Sequence, residues 1–220
     1  MSQNVHPRPK AIIFDWDNTL VDSWQVIFEA MNATLDDFSL HPWTMEETQQ
    51  RVAKSMRDSF PELFGDDWER AGEIFTEHFS AIHLDRLRPL PKAEEALAEL
   101  ANSGVYLGVV SNKRGAFLRA EAEKLGWDRH FSQIIGAGDA PQDKPATDPV
   151  NLALNGSGID LGQGVWFAGD AQIDLECAIN ADCVPILVRE KSPQTDEFTD
   201  FQPLFHFNTV LTLSNFVKNL

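Results

Sequence analysis

The chain has 220 residues, of which 43% are hydrophobic and 24% charged, a composition that supports a packed globular core and excludes a disordered one. Its 34 acidic residues outnumber 18 basic ones, and the formal net charge of −16 repels phosphate backbones and anionic lipid surfaces, which argues against nucleic acid as a partner. No stretch approaches the ~20 apolar residues that span a bilayer, the N-terminal MSQNVHPRPK lacks an apolar run of signal length, and Cys177 and Cys183 have no second pair to complete a zinc site, so a reducing cytoplasm and two buried thiols are expected, with no membrane partner.

The first element is a short apolar run, Ala11–Phe14, that ends in Asp15-Trp16-Asp17-Asn18-Thr19. Similar Val- and Ile-rich runs recur at Tyr106–Val110, Gln133–Gly136, Val165–Ala168 and Val184–Val188, and runs of this kind suit strands buried on both faces of a parallel sheet. Between the first run and the second lie residues 18 to 105, far more than the dozen or so that one crossover needs. Within that stretch Ile27, Ala30, Met31, Thr34, Leu35 and Phe38 repeat at helical spacing, as do Ala71, Ile74, Phe75, Phe79 and Ile82. The stretch therefore reads as an inserted helical cap of roughly 60 residues.

Downstream, Pro91–Ala101 carries a helical stripe of Ala93, Ala96, Leu97 and Leu100. Gly115–Leu125 is followed by Gly126 at a plausible helix C′ position, and Asp148-Pro149 reads as an N-cap with proline at the first helical position. Strands alternating with helices predict an α/β fold: a doubly wound parallel-sheet, Rossmann-like core of residues 1–22 and 88–220, with the helical cap at 23–87. His78 and His83 read as helix-surface residues, and Trp16 and Trp24 as packing between core and cap.

Four features fall at or just beyond the C-terminal ends of predicted strands, where open α/β sheets place their ligands. They are Asp15 with Asp17, Ser111-Asn112, Lys144-Pro145, and Gly169-Asp170 with Asp174 one helical turn on. Taken singly, each has an ordinary explanation as a turn, cap or surface residue. Together they crowd Asp15, Asp17, Asp170 and Asp174 into one place, and neighbouring carboxylates resist joint ionisation unless a cation intervenes. Mg²⁺, which takes one or two carboxylates and fills the rest of its octahedron with water or phosphate oxygens, suits that need. Lys144 and Ser111 add an ammonium and a hydroxyl donor for phosphate oxygens.

On these motifs the chain resembles the haloacid dehalogenase superfamily, in its phosphoglycolate-phosphatase-like branch with a helical cap, from Ala11 to about Val188. The resemblance implies that Asp15 attacks phosphorus to form an aspartyl-phosphate, and that Asp17 protonates the leaving alkoxide and then deprotonates the hydrolytic water. It also implies that Ser111, Asn112 and Lys144 hold the transferring group. Asp15, the carbonyl of Asp17 and Asp170 would ligate Mg²⁺, with Asp174 a further carboxylate at or behind the metal.

Because family members that cleave carbon–halogen or carbon–phosphorus bonds lack the second aspartate, Asp17 points to phosphate esters, whose alkoxide leaving group needs a proton. The expected activity is hydrolysis of a small phosphorylated metabolite, such as a phosphoglycolate or sugar phosphate. A phosphomutase and a non-hydrolytic phospho-aspartate signalling module are the alternatives. By analogy with where family caps meet substrate, Lys54 and Arg57 of the basic segment RVAKSMRD are candidate substrate contacts, against the default of a solvated helix face. Three positions bend the family pattern: Asn18 and Asp182 stand where Gly is usual, and Thr147 where a second Pro is frequent.

Overall fold

The computed structural model describes residues 7–52 and 55–220, which divide into two compact units. One unit combines the segment ending at Val21 with Pro89–Leu220; the other is Asp22–Arg88. Along the chain, strand β1 (Ala11–Phe14) is followed by the two-residue strand β2 (Val21–Asp22) and helices α1 (Trp24–Asp37), α2 (Met45–Arg51), α3 (Met56–Phe64) and α4 (Trp68–Arg86). Strand β3 (Arg88–Pro89) pairs with β2. Then α5 (Ala93–Asn102), β4 (Tyr106–Arg114), α6 (Gly115–Leu125), β5 (Gln133–Ala137), α7 (Asp148–Leu154), β6 (Val165–Gly169), α8 (Gln172–Asn180), β7 (Val184–Val188), β8 (Phe205–Phe207) and α9 (Val210–Lys218) complete the chain.

The larger unit is built on a six-stranded sheet of order β5-β4-β1-β6-β7-β8, parallel throughout. All four residues of β1 are fully buried, as the Ala-Ile-Ile-Phe run requires of a central strand covered on both faces. Alternation sorts its side chains between two layers. Ala11 and Ile13, with Val165 and Phe167 of β6, pack against Val150, Ala153 and Leu154 of α7 and Cys177 and Ala178 of α8. On β6, Trp166 lies at the alternate position and meets Phe205 and Phe216 of β8 and α9, while Ser214 of α9 bonds Glu99 of α5. This is the doubly wound α/β architecture that the strand–helix alternation predicts. Cys177 and Cys183 are buried, unpaired thiols.

In the smaller unit, α1 buries the stripe Val26, Ile27, Ala30, Met31, Thr34 and Leu35. Thr44 caps α2 reciprocally with Glu47, and Asn32 clamps both backbone polar groups of Trp43. Phe60, Phe64, Phe75 and Phe38 form an edge-to-face and tilted cluster between α3, α4 and the end of α1. His83 is a correction: it is buried, stacked 5.1 Å from Phe79, because Ala71, Phe75, Phe79 and His83 share one i, i+4 stripe of α4. His78, one face over, pairs with Asp37.

Further departures are local. The helix at 148 begins one position away from the sequence expectation, with Thr147 at the N-cap and Asp148 as the first helical residue. Strand β4 runs on to Arg114 through an irregular register after Val110. Asn18 and Asp182 both hold positive φ, 58° and 54°, the conformation for which glycine is usually chosen and which Asn and Asp tolerate best among other residues. Among the described residues no helix is long and apolar enough to cross a membrane.

Candidate active site

The order of the sheet places β4 and β6 on either side of β1: the chain builds outward through β4 to β5, then returns to the other side of β1 for β6, and this reversal opens a crevice beyond the carboxyl end of β1. Asp15 is the first residue past β1; its N–H donates to the carbonyl of Ala168 at 2.9 Å, which keeps the backbone in register with β6. The carboxylate is buried, and Lys144 Nζ lies 2.8 Å from its Oδ1. The same ammonium is 2.6 Å from Asp174 Oδ1, with only 2% of the lysine side chain exposed.

Lys144 comes from the long loop after β5, and Asn112 fixes that loop from β4. Its Oδ1 accepts from the Lys144 N–H at 3.0 Å and its Nδ2 donates to the Lys144 carbonyl at 3.2 Å. The Asn112 side chain is thus occupied with the Lys144 peptide, a positioning task that the sequence reading, which set it against phosphate directly, does not anticipate. Ser111 is buried beside it, and its Oγ accepts from the Lys113 N–H at 3.2 Å, which leaves a hydroxyl its proton to donate elsewhere.

From β6 comes Asp170, whose Oδ1 accepts from the Thr19 hydroxyl at 3.4 Å. Asp174, in the first turn of α8, turns back and accepts from the Ala171 N–H through Oδ2. One carboxylate oxygen from each of Asp15, Asp170 and Asp174 can be chosen so that all lie within 4.8 Å of one another. Burial raises the Asp15 carboxyl to about 7; Lys144 opposes that rise, while Asp174 and Asp17 add to it. Asp170 is pushed well above the ordinary carboxylate range, again by burial first and then by Asp174 and Asp15. Burial alone would lower the Lys144 ammonium, but Asp15 and Asp174 outweigh it and raise it.

Buried Asp15 and Asp174 and half-buried Asp170 therefore share one ammonium, and desolvation first, then the crowding of like charge, favours the protonated forms of Asp15 and Asp170. A hard divalent cation matches this all-oxygen donor set and would release those protons by taking over the compensation. The residues present thus fit Mg²⁺ on their own chemistry.

Asp17 turns elsewhere. Its Oδ1 is 2.6 Å from Lys113 Nζ, and the same nitrogen is 2.7 Å from Glu121 Oε2 on α6. Glu121 is buried and also accepts from Trp16 Nε1 at 2.7 Å. Burial would pull the Lys113 ammonium down, yet Asp17 and Glu121 together leave it raised. Trp16 is wholly buried in the larger unit, edge-on to Trp127 at 5.8 Å and Phe131 at 6.4 Å, which replaces the expected role of packing between core and cap with one inside the core. Lys113 and Glu121 escaped the sequence reading. The signal for Glu121 lay in its place on the inward stripe of α6, beside Leu118 and Ala122.

Of the remaining candidates, Arg57 lies near the start of α3 in the smaller unit, and Lys54 lies outside the described residues.

The family profile for haloacid dehalogenase-like hydrolases matches residues 12–188. A phosphoglycolate phosphatase from Neisseria meningitidis is 28% identical over 186 residues, covering 80% of this chain and 79% of that one. The pyrophosphatase PpaX of Oceanobacillus iheyensis is 26% identical over 194 residues, covering 88% and 90%. Among solved structures, a haloacid dehalogenase-like family hydrolase from Streptococcus pneumoniae superposes with a TM-score of 0.83 at 20% identity, covering 95% of this chain and 98% of that one. This last likeness speaks for the fold alone.

Proposed function

The chain belongs to the haloacid dehalogenase-like hydrolase family, and from that premise we propose that it is a Mg²⁺-dependent phosphatase that hydrolyses a small phosphorylated metabolite through an aspartyl-phosphate on Asp15. The observation that carries the proposal is the pairing of buried Asp15 with Lys144 at the end of the central strand, inside a cluster of carboxylates with more negative charge than one ammonium balances. The similarity to phosphatases acting on a small phosphate ester supports the substrate class.

In this reading, an Asp15 oxygen attacks phosphorus, a P–O bond to Asp15 forms, and the bond to the leaving alkoxide breaks as Asp17 supplies its proton. Asp17 then accepts a proton from the water that attacks phosphorus, inorganic phosphate departs, and Asp15 is restored. Lys144 and the Ser111 hydroxyl hold the transferring phosphoryl oxygens, with Asn112 keeping Lys144 in place. Asp15, Asp170 and the Asp17 carbonyl would hold the Mg²⁺, with Asp174 fixing Lys144 alongside; when bound, the cation supplies charge neutralisation for the phosphate and the carboxylate that meets it. Asp22–Arg88 would serve as the cap that shields the reaction from water.

The test is phosphate release with Mg²⁺ from a panel of phosphoglycolate, sugar phosphates and pyrophosphate, run beside the Asp15→Asn variant and an EDTA control. Turnover of at least one ester by the wild type, lost in both controls, supports the reading. Equal release by wild type and variant refutes it. Isomerised substrate without free phosphate would identify a phosphomutase instead.

A further inference from the structure

The Asp17 carboxylate is not left to find its own orientation. Lys113 follows the Ser111-Asn112 pair on β4 and grips Asp17 Oδ1 at 2.6 Å. Lys113 is itself tied to Glu121 at 2.7 Å, and Glu121 to the indole of Trp16 at 2.7 Å. Trp16 is the residue between Asp15 and Asp17, so the chain of contacts starts and ends on the same short turn. Side-chain exposure falls inward along it, 19% for Asp17, 5% for Lys113 and 2% for Glu121.

A buried ion pair is weak support for stability, since desolvation consumes most of the attraction, and the geometry of this one suits positioning. The Lys113 N–H also donates to Ser111 Oγ, so one residue touches both the carboxylate and the hydroxyl at the crevice. An ammonium has donors only. The lone pair of Asp17 Oδ1 that faces Lys113 is therefore closed to a proton, and the carboxylate is held by a partner whose side chain is nearly all buried.

We infer that Lys113, anchored by Glu121, is a positioning residue that fixes the Asp17 carboxylate so that its proton is delivered from one defined direction to the leaving-group oxygen. The inference rests on the reading of Asp17 as the acid for the leaving group. It predicts a dependence on the leaving group rather than a general loss. An alkoxide needs the proton, whereas p-nitrophenolate leaves without much help.

The experiment compares kcat/KM, which reports the steps through aspartyl-phosphate formation, for the alkyl phosphate turned over fastest in the panel and for p-nitrophenyl phosphate. Asp17→Asn, Lys113→Met, Lys113→Arg and Glu121→Gln are measured against wild type. Lys113→Met should lower kcat/KM about 100-fold on the alkyl phosphate, in keeping with the ~10²–10⁴-fold worth of a placed acid, and under about tenfold on p-nitrophenyl phosphate. Glu121→Gln should show the same selectivity at smaller size, and Lys113→Arg should recover part of the alkyl phosphate rate.

Equal losses on both substrates, or none, in Lys113→Met overturn the positioning role. If Lys113→Met fails to fold, Glu121→Gln carries the same comparison, and equal losses there overturn it too. Asp17→Asn separates the two levels. A selective loss in Asp17→Asn without one in Lys113→Met refutes only the positioning, whereas an unselective loss in Asp17→Asn refutes the acid and the positioning together.

Discussion

Asp174 occupies the space that a side chain at position 169 would need: a Cβ built on Gly169 would stand 2.2 Å from Asp174 Cγ and 2.3 Å from its Cβ. The glycine ending β6 is therefore what lets α8 fold Asp174 back onto the Ala171 N–H and Lys144. Gly169→Ala should push Asp174 away, leave Lys144 with one acidic partner fewer, and cost about 1–3 kcal/mol for the forced overlap. Urea unfolding would read the stability. A variant as stable as wild type, with unchanged Mg²⁺ affinity, would show that Asp174 yields without consequence.

The raised Asp15 carboxyl makes a prediction about pH whose sign is fixed. Below the ordinary value of 3.8 the group is protonated both folded and unfolded; between 3.8 and about 7 the unfolded chain loses the proton and the folded one keeps it. The folded state binds more protons there, so this contribution to stability is present at low pH and is lost as pH rises through about 7. In EDTA, the stability of wild type minus that of Asp15→Asn should therefore fall by on the order of 3 kcal/mol between pH 4 and pH 7.5. Asp170 is raised in the same direction and partly by Asp15 itself, so its loss of that part in Asp15→Asn adds to the difference with the same sign. Denaturant midpoints at the two pH values measure the change, and a difference independent of pH would contradict a burial cost on Asp15 that its pairing with Lys144 does not fully offset.

A variant at Arg57 would tell recognition of the metabolite apart from the reaction itself. If it meets the far end of the substrate, Arg57→Ala should raise KM for the true substrate roughly tenfold, about the 1.4 kcal/mol of one charge-assisted contact, and leave p-nitrophenyl phosphate nearly unchanged. Equal changes on both substrates would return Arg57 to the solvated face of α3.

At the end of α8, Asp182 is exposed and takes the left-handed conformation just past the helix. Gly at this C′ position removes the contact between Cβ and the backbone, so Asp182→Gly should stabilise by up to about 1 kcal/mol and raise Tm by roughly 2–4 °C. Thermal unfolding decides it, and a lower Tm would mean that the entropy glycine adds to the unfolded chain prevails.

The parts legible in the sequence are those written in local pattern. Ile12-Ile13-Phe14 and Val165–Ala168 announce buried parallel strands, and the polar residue that ends each run announces a group at the crevice; Asp15, Lys144, Asp170 and Asp174 do converge there. Strand β8 has three residues, Phe205–Phe207, too few to show a period, and its place at the sheet edge depends on pairing with β7. Glu121 and Lys113 were hidden for another reason. Each has a charge that ordinarily marks the surface, and only the packing of α6 against β4, with Trp16 closing one side, turns them inward as partners. His83 is the same lesson in the smaller unit, a polar residue carried inside by the stripe it shares with Phe75 and Phe79.

The most direct measurement is the mass of the peptide containing Asp15 after acid quench of the wild-type enzyme turning over its best ester with Mg²⁺. One added phosphoryl group on that peptide, mapped to Asp15, removed by hydroxylamine and missing from Asp15→Asn, is the expected result. Rapid phosphate release with the phosphoryl group on another residue, or release by Asp15→Asn at the wild-type rate, would contradict the assignment of Asp15 as nucleophile.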